Sequence, residues 1–187
     1  ARDLRKEALG RVLSGEIPLM ISAHSSVDIQ NALRLQKELE IKLVLEGGAE
    51  CYDHIDALLA QKVPVIIHPT MMRASGAGKN ASMETAGKLV AAGVSVALGS
   101  GYESYVPKTR VVLWEAAIAC AYGCPFADAL GLITASAAQL LGISDRVGSL
   151  EVGKDGDVAL FDGDPFEYTS HCTGTIIDGN VVSDLVR

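Results

Sequence analysis

The side chains with chemistry to offer are four histidines, four cysteines and a few polar residues in glycine-rich stretches. His24 closes the apolar run Pro18 to Ala23, and His68 closes the run that begins at Val63. An imidazole at the end of a β-strand can ligate a metal, carry a proton or contact a ligand. Both would face one pocket if the two runs lie side by side. His54 sits between Asp53 and Asp56 on an expected helix and reads as a surface residue. His171 has no partner by spacing. The cysteines are Cys51, Cys120, Cys124 and Cys172, with no Cys-x-x-Cys pair. That argues against a zinc knuckle or a dithiol redox site. Cys120 and Cys124 are expected on one helix face as small buried hydrophobes. Sparse, unpatterned cysteine fits a reducing cytoplasm. The stretch Ser75 to Ser82, SGAGKNAS, follows one apolar run and precedes a helix, as a phosphate loop does. The phosphate-loop pattern requires glycine and Ser/Thr where Arg73 and Asn80 stand, so nucleotide binding is not expected. Arg73 and Lys79 instead suit a loop that reaches over the pocket.

The elements that must position these residues alternate. Pro18–Ala23, Ile41–Glu46, Val63–His68 and Val94–Gly99 are short apolar runs. Helical stretches follow them near 27–40, 53–61, 82–92 and 108–122. Runs that are continuously apolar read as parallel strands covered on both faces. Four βα units leave two architectures, half of a (βα)8 barrel or a small doubly wound sheet. Before them, Leu4, Ala8, Val12 and Leu13 suggest one face of an opening helix. After Tyr122, Phe126–Leu132 and Thr134–Leu141 read as short helices, with Thr134 as N-cap and Gly142 as the stop. From Gly148 the chain is rich in strands and turns, and Asp178-Gly179 marks a hairpin.

The chain has 187 residues, 49% hydrophobic and 21% charged, which is an ordinary globular composition. Aromatics are only 5%, which suits a layered α/β core. Its net charge is −7, and no Lys/Arg cluster argues for nucleic acid. No apolar run approaches the roughly 20 residues that span a bilayer, and the opening residues do not read as a signal peptide.

Residues 133–182 carry a chain of motifs: T-x-x-x-A-x-x-L-G, then G-S-L-x-x-G-K-D-x-D, an apolar strand, D-G-D-P, and I-D-G-x-V-V. This tail resembles the amidohydrolase superfamily, most closely its imidazolonepropionase-like branch. Residues 21–48 resemble the same branch at its fifth and sixth barrel strands. The resemblance implies an α/β fold: the C-terminal half of a (βα)8 TIM-type barrel, strands five to eight, plus C-terminal strands of a small β-sandwich. A whole barrel takes about 250 residues, so the chain looks like a fragment. It divides into a half-barrel with closing helices over 1–147 and a sandwich portion over 148–187.

The resemblance also implies chemistry. The family hydrolyses non-peptide C–N bonds, such as those of cyclic amides and imidazolone-like rings, with water activated by zinc, iron or manganese. His24 matches the strand-five metal ligand. The strand-six ligand position holds Gly47, where the family reads L-E-H-G, and Glu46 beside it points to the opposite side of the strand. The strand-eight aspartate position holds Gly101, in Gly99-Ser100-Gly101. With two of three positions glycine, no divalent metal is expected in this chain, which is expected to be inactive alone. His24, Ser100 and Tyr102 are the catalytic candidates; His68, Arg73 and Glu103 are the substrate-contact candidates. Expected partners are the missing N-terminal half or another copy, and a small-molecule ligand. A non-catalytic binding barrel and a self-assembling open sheet are the alternatives.

Overall fold

The computed structural model describes residues 2–68, 75–101 and 111–184. Four strands, β1 (Leu19–Ala23), β2 (Leu43–Gly47), β3 (Val65–Ile67) and β4 (Val96–Leu98), form a parallel sheet in the order β1-β2-β3-β4. The helices are α1 (Leu4–Leu13), α2 (Ser26–Leu39), α3 (Ile55–Gln61), α4 (Thr85–Ala91), α5 (Val112–Ala121), α6 (Phe126–Leu132) and α7 (Ala135–Leu141). β5 (Val158–Phe161), β6 (Cys172–Ile177) and β7 (Asn180–Asp184) make a separate antiparallel sheet. Among the described residues no helix is long and apolar enough to cross a membrane.

Local chemistry sets the boundaries of these elements. The Ser25 side chain caps α2 by accepting the Asp28 amide, and the helix ends at Glu40 in a left-handed turn. Ile29, Ala32 and Leu33 form its buried stripe. Gly142 closes α7 at φ +70°. Asp178 and Gly179, at φ +49° and +75°, turn β6 into β7.

Side chains alternate across a strand, so register decides which residues share a face. Leu43, Leu45, Val65, Ile67, Val96 and Leu98 all face the helices and join one core with Ile29, Leu58 and Leu89. On the other face Ser22 stands opposite Glu46, Glu46 opposite Ile66, and Ile66 opposite Ala97. Cover of this second face is uneven, contrary to the expectation that both faces are covered. Val44 and Ala97 are buried, whereas Met20 is 53% exposed.

Three local readings need correction. Of the expected apolar face of α1 only Val12 is buried, because Leu4 and Leu13 project into solvent. Thr134 stands at the N-cap of α7 as expected, but its hydroxyl donates back to the Leu130 carbonyl and makes no side-chain cap bond. Cys124 lies beyond the end of α5; it is buried in the core, with Cys120 packed against it.

The β-rich tail is tied to the helices. A Cβ on Gly148 would fall 2.6 Å from that of Ala138, so the chain passes α7 at glycine distance. The Phe126 and Phe166 rings lie 4.8 Å apart.

Candidate functional site

The strands end together, and their ends carry the candidate side chains, as parallel α/β folds place active sites. Glu46 on β2 is the centre. Its Oε1 lies 2.8 Å from His68 Nε2, just past β3, and Ser22 Oγ on β1 donates to its Oε2. A carboxylate only accepts, so Nε2 of His68 carries the hydrogen. His68 Nδ1 is buried with no hydrogen-bond partner among the described residues.

His24 lies one residue past β1, on the parity of Ser22. Its imidazole covers Gly47: a Cβ there would fall 2.3 Å from His24 Cε1 and 2.8 Å from Nδ1. His24 Nδ1 is also buried with no partner among the described residues. His68 covers Gly99 in the same manner, with Cε1 2.4 Å from where a Cβ would stand.

A second cluster fixes the backbone around His24. The Gly48 amide donates to the Ala23 carbonyl and the Glu50 amide to the His24 carbonyl. The Glu50 carboxylate accepts the Ser26 amide at 2.6 Å and the Asn80 side-chain amide. Tyr52 donates its hydroxyl to the Asn80 carbonyl. Glu50 thus joins the connections that follow β1, β2 and β3. The Ser26 amide, then the Asn80 amide, hold its carboxyl below the ordinary carboxylate range, against the opposing effect of desolvation. The sign of the pH effect follows. A carboxyl whose pKa is lower in the folded state adds stability above its unfolded pKa, and loses it as pH falls through the folded one. Glu50→Gln is therefore expected to flatten the acid limb of the stability profile below about pH 5, and an unchanged limb in urea titrations across pH would contradict this assignment.

The sequence candidates divide. His24 and His68 come to the same strand ends, and Ser100 is partly buried just beyond β4. Arg73, Tyr102 and Glu103 lie outside the described residues. His54 is not a plain surface residue, since its Nε2 is 2.7 Å from Ser26 Oγ. His171 pairs with Asp162, at 3.4 Å between Nδ1 and Oδ2. Cys51, buried at the β2 mouth, has its thiol pushed up to about 12 by burial, which makes it a poor nucleophile. Sequence reasoning missed Glu50 altogether, and for Glu46 it left only a place beside Gly47 on the opposite side of the strand. The available signal was a lone carboxylate ending an apolar parallel-strand run, where charge is rarely buried unless paired.

The sequence matches the amidohydrolase family over residues 52–183. The chain belongs to the amidohydrolase family. The amidohydrolase of Thermotoga maritima MSB8 is 34% identical, with a TM-score of 0.90, over 98% of this chain and 48% of its own. This amidohydrolase chain therefore spans about half the length of that relative. Amidohydrolase tasK of Hapsidospora irregularis is 34% identical over 73 residues, 39% of this chain and 7% of its own length. An adenosine deaminase of Xanthomonas campestris with bound zinc shares the fold at TM-score 0.71 and 19% identity, over 98% of this chain and 49% of that one.

Members of this family commonly use a divalent metal, and the donor set here can be tested against one. A catalytic zinc takes about three N, O or S ligands from the protein and keeps a further position open for water. Among the described residues no group of three or more His, Cys, Asp or Glu side chains converges to hold an ion. His24 is the one donor at the three matched positions, and its ring lies over Gly47. His68 Nε2 is engaged by Glu46. Among the described residues, this half-length chain does not by itself assemble a family metal centre.

Proposed function

We propose that this chain is the C-terminal half of a (βα)8 amidohydrolase, divided at 147/148 from the sandwich portion, and that the intact protein hydrolyses non-peptide C–N bonds of cyclic amides or imidazolone-like rings with a degenerate metal site. The observation that supports this best is the relation to the Thermotoga amidohydrolase, in which 98% of this chain corresponds to 48% of that chain. The sequential order of the parallel strands favours a barrel segment, because a doubly wound sheet reverses its order at a switch point.

In this reading Glu46 is the general base. It takes a proton from water as the water oxygen bonds to the substrate carbonyl carbon. The C–N bond then breaks, and the proton passes to the leaving nitrogen, so one water is consumed and no redox step occurs. Ser22 and His68 hold the carboxylate from two sides. His24 lines the mouth and contacts the ring, with Ser100 and Tyr102 as secondary contacts.

Among the described residues the outer edges of β1 and β4 have no strand neighbour, and edges of this kind recruit strands. The missing N-terminal half or a second copy fills that place. The test is a hydrolysis screen on the intact protein, with elemental analysis and light scattering beside it. Expected are slow turnover of a cyclic amide without stoichiometric zinc, iron or manganese, loss of turnover in His24→Ala, and an associated rather than monomeric state for the 187-residue chain alone. Turnover that requires about one bound zinc per chain overturns the metal-site reading. An inert protein that binds the ring compound replaces the enzyme with a non-catalytic binding barrel.

A further inference from the structure

The two glycines at the matched ligand positions differ from ordinary losses of a side chain. Gly47 has φ +92° and Gly101 has φ +68°. Both lie in the left-handed region, which side-chain-bearing residues seldom adopt. The backbone there is not that of a strand end from which a ligand was merely trimmed. At Gly47 the vacated volume is also taken, because the His24 ring lies where a side chain would begin. Across the sheet the same arrangement recurs with different backbone. Gly99 has no left-handed φ, yet the His68 ring lies 2.4 Å from its would-be Cβ. Each imidazole, one residue past its own strand, thus leans over a glycine at the end of the next, His24 over Gly47 of β2 and His68 over Gly99 just past β4.

The geometry points to Gly47 and Gly99 as positioning residues that seat the two imidazoles, and to a site committed to this seated arrangement, so that restoring ligand residues at 47 and 101 does not restore a metal centre. The consequence is sharpest at His68. Its seat over Gly99 brings Nε2 to Glu46 Oε1 and leaves Nδ1 with no partner among the described residues. A methyl at 99 has little room: Ile66 Cγ2 stands 3.2 Å from the Cβ position as well, so the ring is the group that must move. Once it moves, Glu46 keeps Ser22 but loses its imidazole partner. At Gly47 the ring of His24 must likewise yield to any side chain, and a histidine there competes with His24 for one volume instead of joining it around an ion.

This inference deepens the role given to His68 and His24 above, and its test does not depend on turnover. The intact protein carrying ¹⁵N-labelled histidine is compared as wild type, Gly99→Ala and Gly10→Ala, the last a control because a Cβ at Gly10 meets nothing within 4 Å. Expected in Gly99→Ala is a shift of the His68 ring nitrogens away from the Nε2–H tautomer pattern, with the control unmoved. Zinc is then titrated into Gly47→His/Gly101→Asp. Expected is no tightly held zinc after dialysis, as in the wild type. His68 signals that stay in place in Gly99→Ala overturn the seat. About one zinc per chain in the double variant, with His24 signals moved by the metal, overturns the commitment of the site. If the double variant does not fold, Gly99→Ala still decides, since its backbone is unstrained. If the seats hold while no C–N hydrolysis is found, the proposed function falls and the seats stand.

Discussion

Glu46→Gln is expected to lower kcat of the intact protein by about 10² to 10⁴, the usual contribution of a positioned general base. The substitution keeps the shape of the side chain. It replaces one carboxylate oxygen by an amide that donates, so one of the two contacts, from Ser22 Oγ or His68 Nε2, loses its acceptor. Binding should change little, because the loss concerns a proton transferred during reaction; kcat and kcat/KM should fall together. The check is steady-state kinetics on whichever cyclic amide the screen identifies, with Ser22→Ala beside it. Ser22→Ala removes a donor and leaves the base, so its effect should be much smaller. A Glu46→Gln enzyme that keeps wild-type kcat would remove Glu46 from the chemistry and leave it as a structural partner of His68.

The second large effect concerns the core. Leu45→Ala is expected to destabilise the protein by about 2–5 kcal/mol, the range for a buried leucine truncated in a tightly packed interior. Leu45 is fully buried on the helix side of β2, the strand between β1 and β3, where it pairs in register with Ile21 and Val65. The cavity would open among Ile29, Leu58 and Val65, which neighbouring strands and helices hold in place. Against a typical total of about 5–15 kcal/mol, this is a large fraction. Urea unfolding should show a lower midpoint at unchanged slope. Val152→Ala is the control, because its side chain is wholly exposed and should cost less than about 0.5 kcal/mol. Equal midpoints for the two variants would mean that the helix-facing layer of the sheet is not the core.

The sequence by itself determined the alternation of strands and helices, because continuous apolar runs and 3.6-residue stripes are local patterns. Leu19–Ala23, Leu43–Gly47, Val65–Ile67 and Val96–Leu98 all lie within a few residues of the apolar runs. It also placed His24 and His68 at strand ends, since each directly follows its run. What it left open is anything that depends on which residue stands opposite which. Read along its own strand, Glu46 points away from a ligand at 47, and a role in packing follows. Only the pairing of Ser22 with Glu46, and of Glu46 with Ile66, puts the carboxylate on the face shared with His68. Register is a relation between segments twenty or more residues apart, and no local period encodes it. The glycines show the same limit. In the sequence Gly47 and Gly101 are missing ligands, and nothing there separates a lost side chain from a changed backbone. The tertiary structure decided that both have positive φ and that the His24 ring occupies the space at 47, because φ and vacant volume are set by what packs around a residue rather than by its type.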